Sequence, residues 1–193
     1  MAKYNVPHAT YNEFKAAVNG HGYDLDGFYG YQCWDDVQLL YTQSDIGQNL
    51  ITGNGTAKGC WLNSNARAIN ASGHFSQFTN KANIKKGDIL VFNTYPNWYG
   101  NNGHIGFANE DYNGTQYISL LSQNFGSGSN PRTGKPFNIM NAYLGSAFLG
   151  AFRYDRWQSP TPPPPPPPTP IPTTEWPKED FPWPIAWEQW GWN

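Results

Sequence analysis

The 193-residue sequence predicts an α+β domain, and three observations carry that prediction. Helical periodicity is confined to the first part of the chain. A run of short alternating segments follows, separated by Gly- and Asn-rich turns. Aromatics make up 17% of the chain and charged residues only 13%, a balance suited to a loop-rich domain of short strands. Helices first and antiparallel strands afterwards is the order of an α+β fold.

The first helix is expected over residues 11 to 19. Thr10 and Glu13 form a capping box, Phe14, Ala17 and Val18 make an apolar stripe, and Gly20 is a natural stop. A second helix starts near Cys33 and carries Val37, Leu40 and Tyr41 at spacings of three and four. A third, shorter helix is expected around residues 65 to 71. Strands follow at 88 to 93 ("DILVFN"), 104 to 110 ("HIGFANE"), 116 to 122 ("QYISLLS") and 146 to 154 ("SAFLGAFRY").

Near residue 158 the composition changes, which sets a domain over 1–157, a Pro-rich linker over 158–174 and a Trp-rich tail over 175–193. The seven prolines at 162 to 168 are expected to form a polyproline II rod of about 22 Å, a spacer and not a core. In the tail, Trp183, Trp187 and Trp190 recur at spacings of four and three, as on a short helix. Glu175, Glu179, Asp180 and Glu188 face a single Lys178, so the tail is acidic and would be repelled by anionic polymers. It is too short to build its own core, and its apolar face is expected to dock on another protein.

A formal charge of -2 argues against a general nucleic-acid partner. No apolar run has the length of a signal peptide or a membrane span. Cys33 and Cys60 are too few for a disulfide framework, although one bridge between them stays open. There is no phosphate-binding glycine loop, C-x-x-C or H-E-x-x-H, which removes nucleotide, haem and zinc chemistry from the motif-based readings.

The stretch "DLDGFYGYQCWDD", residues 24 to 36, is unlike a core helix or strand. Cys33 falls at the first turn of the second helix, where free N–H groups and the positive dipole end favour a thiolate. His104 opens a strand after the turn "WYGNNGH". A cysteine at a helix start facing a histidine on a sheet is the papain-like arrangement. Taken singly, such a cysteine is more often a small buried hydrophobe and such a histidine structural, and chain order does not bring the two together.

The blocks "DGFYGYQCWDD", "GDILVF", "GHIGFA" and "LLSQNFG", in this order, resemble the CHAP family of cysteine- and histidine-dependent amidohydrolase/peptidase domains, found in bacteriophage lysins and bacterial cell-wall hydrolases. The likeness covers about residues 10 to 155. It implies a papain-like fold, with Cys33 as nucleophile and His104 as base. The family's third element usually reads "LEQN"; here Ser122 stands in place of the glutamate, and the orienting role falls to Asn124. The oxyanion is expected at the Cys33 backbone N–H, helped by Gln32. Trp34, Tyr95, Trp98 and Tyr99 are candidates for lining the groove, with core packing an equal alternative.

Asp24, Asp26, the Phe28 and Gly30 carbonyls and Asp35 fall at positions 1, 3, 5, 7 and 12 of a twelve-residue loop, a calcium-binding spacing. Tyr29 at position 6 and aspartate at position 12 depart from an EF-hand, and a plain polar turn is the other reading. The resemblance implies a structural, activating calcium on this loop. It also implies peptidoglycan as substrate, cut either as an amidase or as a stem or cross-bridge endopeptidase. The expected setting is the bacterial cell wall, reached as a released lysin or on a phage virion tail. Residues 175–193 would then dock to a phage tail protein. The alternative is a catalytically weak or inactive structural or binding protein of the same fold, signalled by Ser122.

Overall fold

A computed structural model describes residues 4–43, 56–62, 73–126 and 132–157. The chain divides into two units, Met1–Thr161 and Pro162–Asn193, and the described residues belong to the first. The expected linker and tail, and the helix expected at 65 to 71, lie outside the described residues.

Helix α1 spans Tyr11–Val18. Its capping box is formed: the Glu13 amide donates to Thr10 Oγ1 at 3.2 Å, and the Thr10 amide to Glu13 Oε2 at 3.1 Å. Tyr11, Phe14 and Val18 make its buried face, and Phe14 meets Phe107 with ring centroids 5.1 Å apart. Each such side chain, once buried, contributes about 1.5–3 kcal/mol. Helix α2 spans Cys33–Gln43, and a short α3 spans Gly59–Leu62.

Among the described residues six strands form one antiparallel sheet: β1 Phe75–Phe78, β2 Ile89–Phe92, β3 His104–Ala108, β4 Tyr117–Ser122, β5 Asn138–Tyr143 and β6 Phe148–Tyr154. Their order is β1-β6-β2-β3-β4-β5. β2 and β3, at the centre, are buried throughout because both faces of the sheet are covered. Ile89, Val91, Ile105, Phe107 and Leu121 pack with Phe14, Val37 and Leu40 on the helical side. Leu90, Phe92, Leu120 and Ala151 pack with Tyr99 and Phe125 on the other. The expected strands are present with slightly tighter bounds, and β1 and β5 join them at the edges. Among the described residues no helix is long and apolar enough to cross a membrane.

Candidate active site

α2 packs on β3, which brings the start of the helix to the end of the sheet where β3 begins and β4 finishes. A cavity of about 1110 Å³ opens there, and Gln32, Cys33, His104 and Asn124 all line it. Cys33 is half-buried against the helical core, and the backbone dipoles of Ile105, the neighbour of His104, and of Cys33 itself act to favour its thiolate.

Burial, with the carboxylates of Asp36 and Asp35 adding to it, nevertheless pushes the Cys33 thiol up to about 12. This acts against the thiolate expected from the helix start. A helix terminus supplies about 0.3–1 kcal/mol, less than the cost of desolvating an anion beside two carboxylates. Burial likewise brings His104 down to about 3. Both shifts favour a neutral thiol and a neutral imidazole in the resting site. Cys60 is a separate, buried free thiol that donates to the Ala57 carbonyl at 2.9 Å.

The His104 ring is buried and stacks on Phe125 at 4.6 Å and on Tyr99 at 5.8 Å. Its Nε2 lies 3.0 Å from Ser122 Oγ. Among the described residues Nδ1 takes no hydrogen bond. Asn124, expected to orient this ring, has φ +48 and leaves the strand direction; its Nδ2 donates to Gln32 Oε1 at 2.7 Å. Asparagine tolerates this left-handed backbone better than most residues. Ser122 thus occupies the place at His104 that the sequence reading gave to Asn124. Gln32 is held from its other end as well, since its Nε2 donates to the Tyr29 carbonyl.

Ser122 Oγ is also 2.6 Å from Asp36 Oδ2, and the Gln123 amide donates to both oxygens of that carboxylate, at 3.2 and 3.0 Å. Burial drives Asp36 well above the usual carboxylate range, while the bonds from Ser122 and Gln123 oppose it. Asp36 escaped the sequence reading because it counted only as one more acidic residue beside Asp35. Its partner lies 86 positions away.

Asp35 fastens the preceding loop to α2. Its Oδ1 accepts from the Leu25 amide at 3.0 Å and its Oδ2 from the Gln32 amide at 3.1 Å, the second bond capping the helix start. Carboxylate oxygens of Asp24, Asp26 and Asp35 lie within 4.8 Å of one another. Burial, then the backbone bonds acting against it, then the charges of Asp26 and Asp24 leave Asp35 raised to about 7. Among the described residues the Phe28 and Gly30 carbonyls accept no hydrogen bond. Three crowded carboxylates with two free carbonyls in one loop are a donor set that suits a hard divalent cation. Trp34, Trp98 and Tyr99 line the cavity; Tyr95 does not, and instead stacks on Tyr143 at 4.6 Å.

No protein-family model matches the chain. It is 26% identical over 145 residues to a D-alanyl-L-alanine endopeptidase of Streptococcus phage B30, a match covering 75% of this chain and 30% of that relative. The chain thus spans less than a third of that relative's length. Among solved structures it is similar to the wild-type endolysin LysIME-EF1, with a TM-score of 0.54 and 18% identity over 76% of this chain and 64% of the other. That likeness is one of fold.

Proposed function

We propose that residues 1–157 form a CHAP-type thiol hydrolase that cuts an amide bond of peptidoglycan. One observation carries the reading: Cys33 and His104 open onto a single cavity, with His104 held through Nε2 and its Nδ1 without a hydrogen bond among the described residues. The name of the phage relative favours an endopeptidase acting on a D-alanyl-L-alanine bond.

In this reading the neutral pair reacts by general-base catalysis. His104 Nδ1 takes the Cys33 proton as Sγ attacks the scissile carbonyl, and the oxyanion accepts from the Cys33 amide and Gln32 Nε2. His104 then returns the proton to the leaving amine as the C–N bond breaks, leaving a thioester on Cys33. Water, deprotonated by His104, attacks the thioester; the C–S bond breaks and the carboxylic acid and the Cys33 thiol are released. Asn124 serves by holding Gln32.

Asp24, Asp26 and Asp35 with the Phe28 and Gly30 carbonyls would hold calcium. The ion would neutralise the three carboxylates and fix the loop that leads into α2, with no part in bond cleavage. The tail, 175–193, is read as a docking segment for a phage tail protein, and the enzyme as a virion-borne or released lysin.

The test is mass spectrometry of peptidoglycan digested by the wild type and by Cys33→Ala. New amino termini on alanine paired with new carboxyl termini on D-alanine, present only with the wild type, are the expected result. Free lactyl groups on muramic acid would make it an amidase instead. No fragments from walls of several chemotypes would leave the binding protein as the reading.

A further inference from the structure

We infer that Asp36 is a positioning residue for His104, acting through the Ser122 hydroxyl. Ser122 Oγ is completely buried and stands among four partners: Asp36 Oδ2 at 2.6 Å, Ile105 O at 2.9 Å, His104 Nε2 at 3.0 Å and Gln123 O at 3.2 Å. A hydroxyl has one proton to give. Three of the four partners are oxygens, and the shortest contact lies in the range of a charge-assisted O–H to carboxylate bond.

The Gln123 amide on both Asp36 oxygens favours the ionised carboxylate, and beside it a Ser122 that gave its proton to His104 would turn lone pairs toward a charged oxygen at 2.6 Å, which is repulsive. The consistent arrangement is a chain in one direction. His104 Nε2–H donates to Ser122 Oγ, and Ser122 donates to Asp36 Oδ2. The Gln123 amide, on both carboxylate oxygens, holds Asp36 in place. The neutral imidazole is then the Nε2–H tautomer, and its basic lone pair is on Nδ1. Asp36 sits three residues after Cys33 on α2, so one helical turn carries both the thiol and the group that sets the tautomer of its base.

This assignment rests on the Cys33–His104 reading for its catalytic consequence, but its geometry is testable without turnover. Nitrogen NMR of the full chain labelled at histidine should show neutral His104 with its proton on Nε2; a proton on Nδ1 overturns the inference. Asp36→Asn and Ser122→Ala should each lower kcat about ten- to hundredfold with KM within twofold, and the double variant should be no worse than Ser122→Ala. Wild-type kcat in Asp36→Asn, with the Nε2–H signal intact, overturns it. If Asp36→Asn does not fold, the wild-type tautomer and the kcat of Ser122→Ala decide. A wild type that shows Nε2–H yet releases no fragments supports the positioning and sinks the proposed activity.

Discussion

A methyl group on Gly106 would stand 2.7 Å from Ser122 Cβ and 3.0 Å from the Leu121 carbonyl oxygen. Glycine at 106 is therefore what lets β4 come close enough to β3 for Ser122 to reach His104, two residues back on the same face of the strand. Gly106→Ala is expected to cost about 1–3 kcal/mol by overpacking and to lower kcat about tenfold or more by displacing Ser122. Circular dichroism should show the sheet retained. Unchanged kcat would mean that the Ser122 contact is dispensable.

Alkylation of Cys33 should report the neutral resting pair. With the thiol pushed up to about 12 and the imidazole down to about 3, labelling by iodoacetamide should rise about tenfold per pH unit between pH 6 and 9, following the thiolate fraction. Peptide mapping separates Cys33 from the buried Cys60. Rapid labelling of Cys33 below pH 6 would instead indicate a preformed thiolate–imidazolium pair.

The sequence made legible what depends on local pattern and left obscure what depends on distant burial. The capping box at Thr10, the start of α2 at Cys33 and the central strands follow from periodicity and turn residues within a few positions. β1, "FSQF", and β5, "NIMNAY", lie at the two edges of the sheet and are half solvated, so their apolar signal is weak. Alternation continued past β4 would set Ser122 and Asn124 on one face, and nothing local decides between them as partners of His104. The positive φ of Asn124 decides it, by turning that side chain to Gln32. The shift on Cys33 has a related origin: a helix start is visible in sequence, whereas the burial that opposes a thiolate there, the largest cause of its raised pKa, arises only on packing.

Arg153 on β6 ties that strand to the nearly buried Asp88 that precedes β2. Its Nε donates to Asp88 Oδ1 at 2.8 Å and its Nη2 to Oδ2 at 2.7 Å, and Nη2 also reaches the Asn83 carbonyl at 2.6 Å. Arg153 is itself partly exposed, which weakens the pair relative to a fully buried one. Arg153→Ala should cost about 2 kcal/mol, because Asp88 loses both of its guanidinium bonds. Urea unfolding that shifts by less than about 0.5 kcal/mol would show that the Lys85 amide, at 2.7 Å, satisfies Asp88 alone.

Calcium should stabilise the protein more at pH 8 than at pH 5. Asp35 is raised to about 7 in the folded, metal-free protein, by burial first and by the charges of Asp26 and Asp24 further down the order of causes. A raised carboxyl binds its proton more tightly folded than unfolded. The resulting stability is full below the unfolded value near 4 and is lost as the pH rises through about 7. A cation competes with that proton, so its net gain grows as the proton leaves. His104, lowered to about 3, has the opposite trend: its contribution is present above about 6.5 and is lost as the pH falls toward 3. Comparing Tm with and without calcium at each pH cancels that background. At a hundredfold excess over Kd the gain at pH 8 should be about 2.7 kcal/mol, or roughly 5–10 °C in Tm. An equal shift in an Asp24→Asn, Asp26→Asn double variant would place the ion elsewhere, and no shift at either pH would leave the loop as a polar turn.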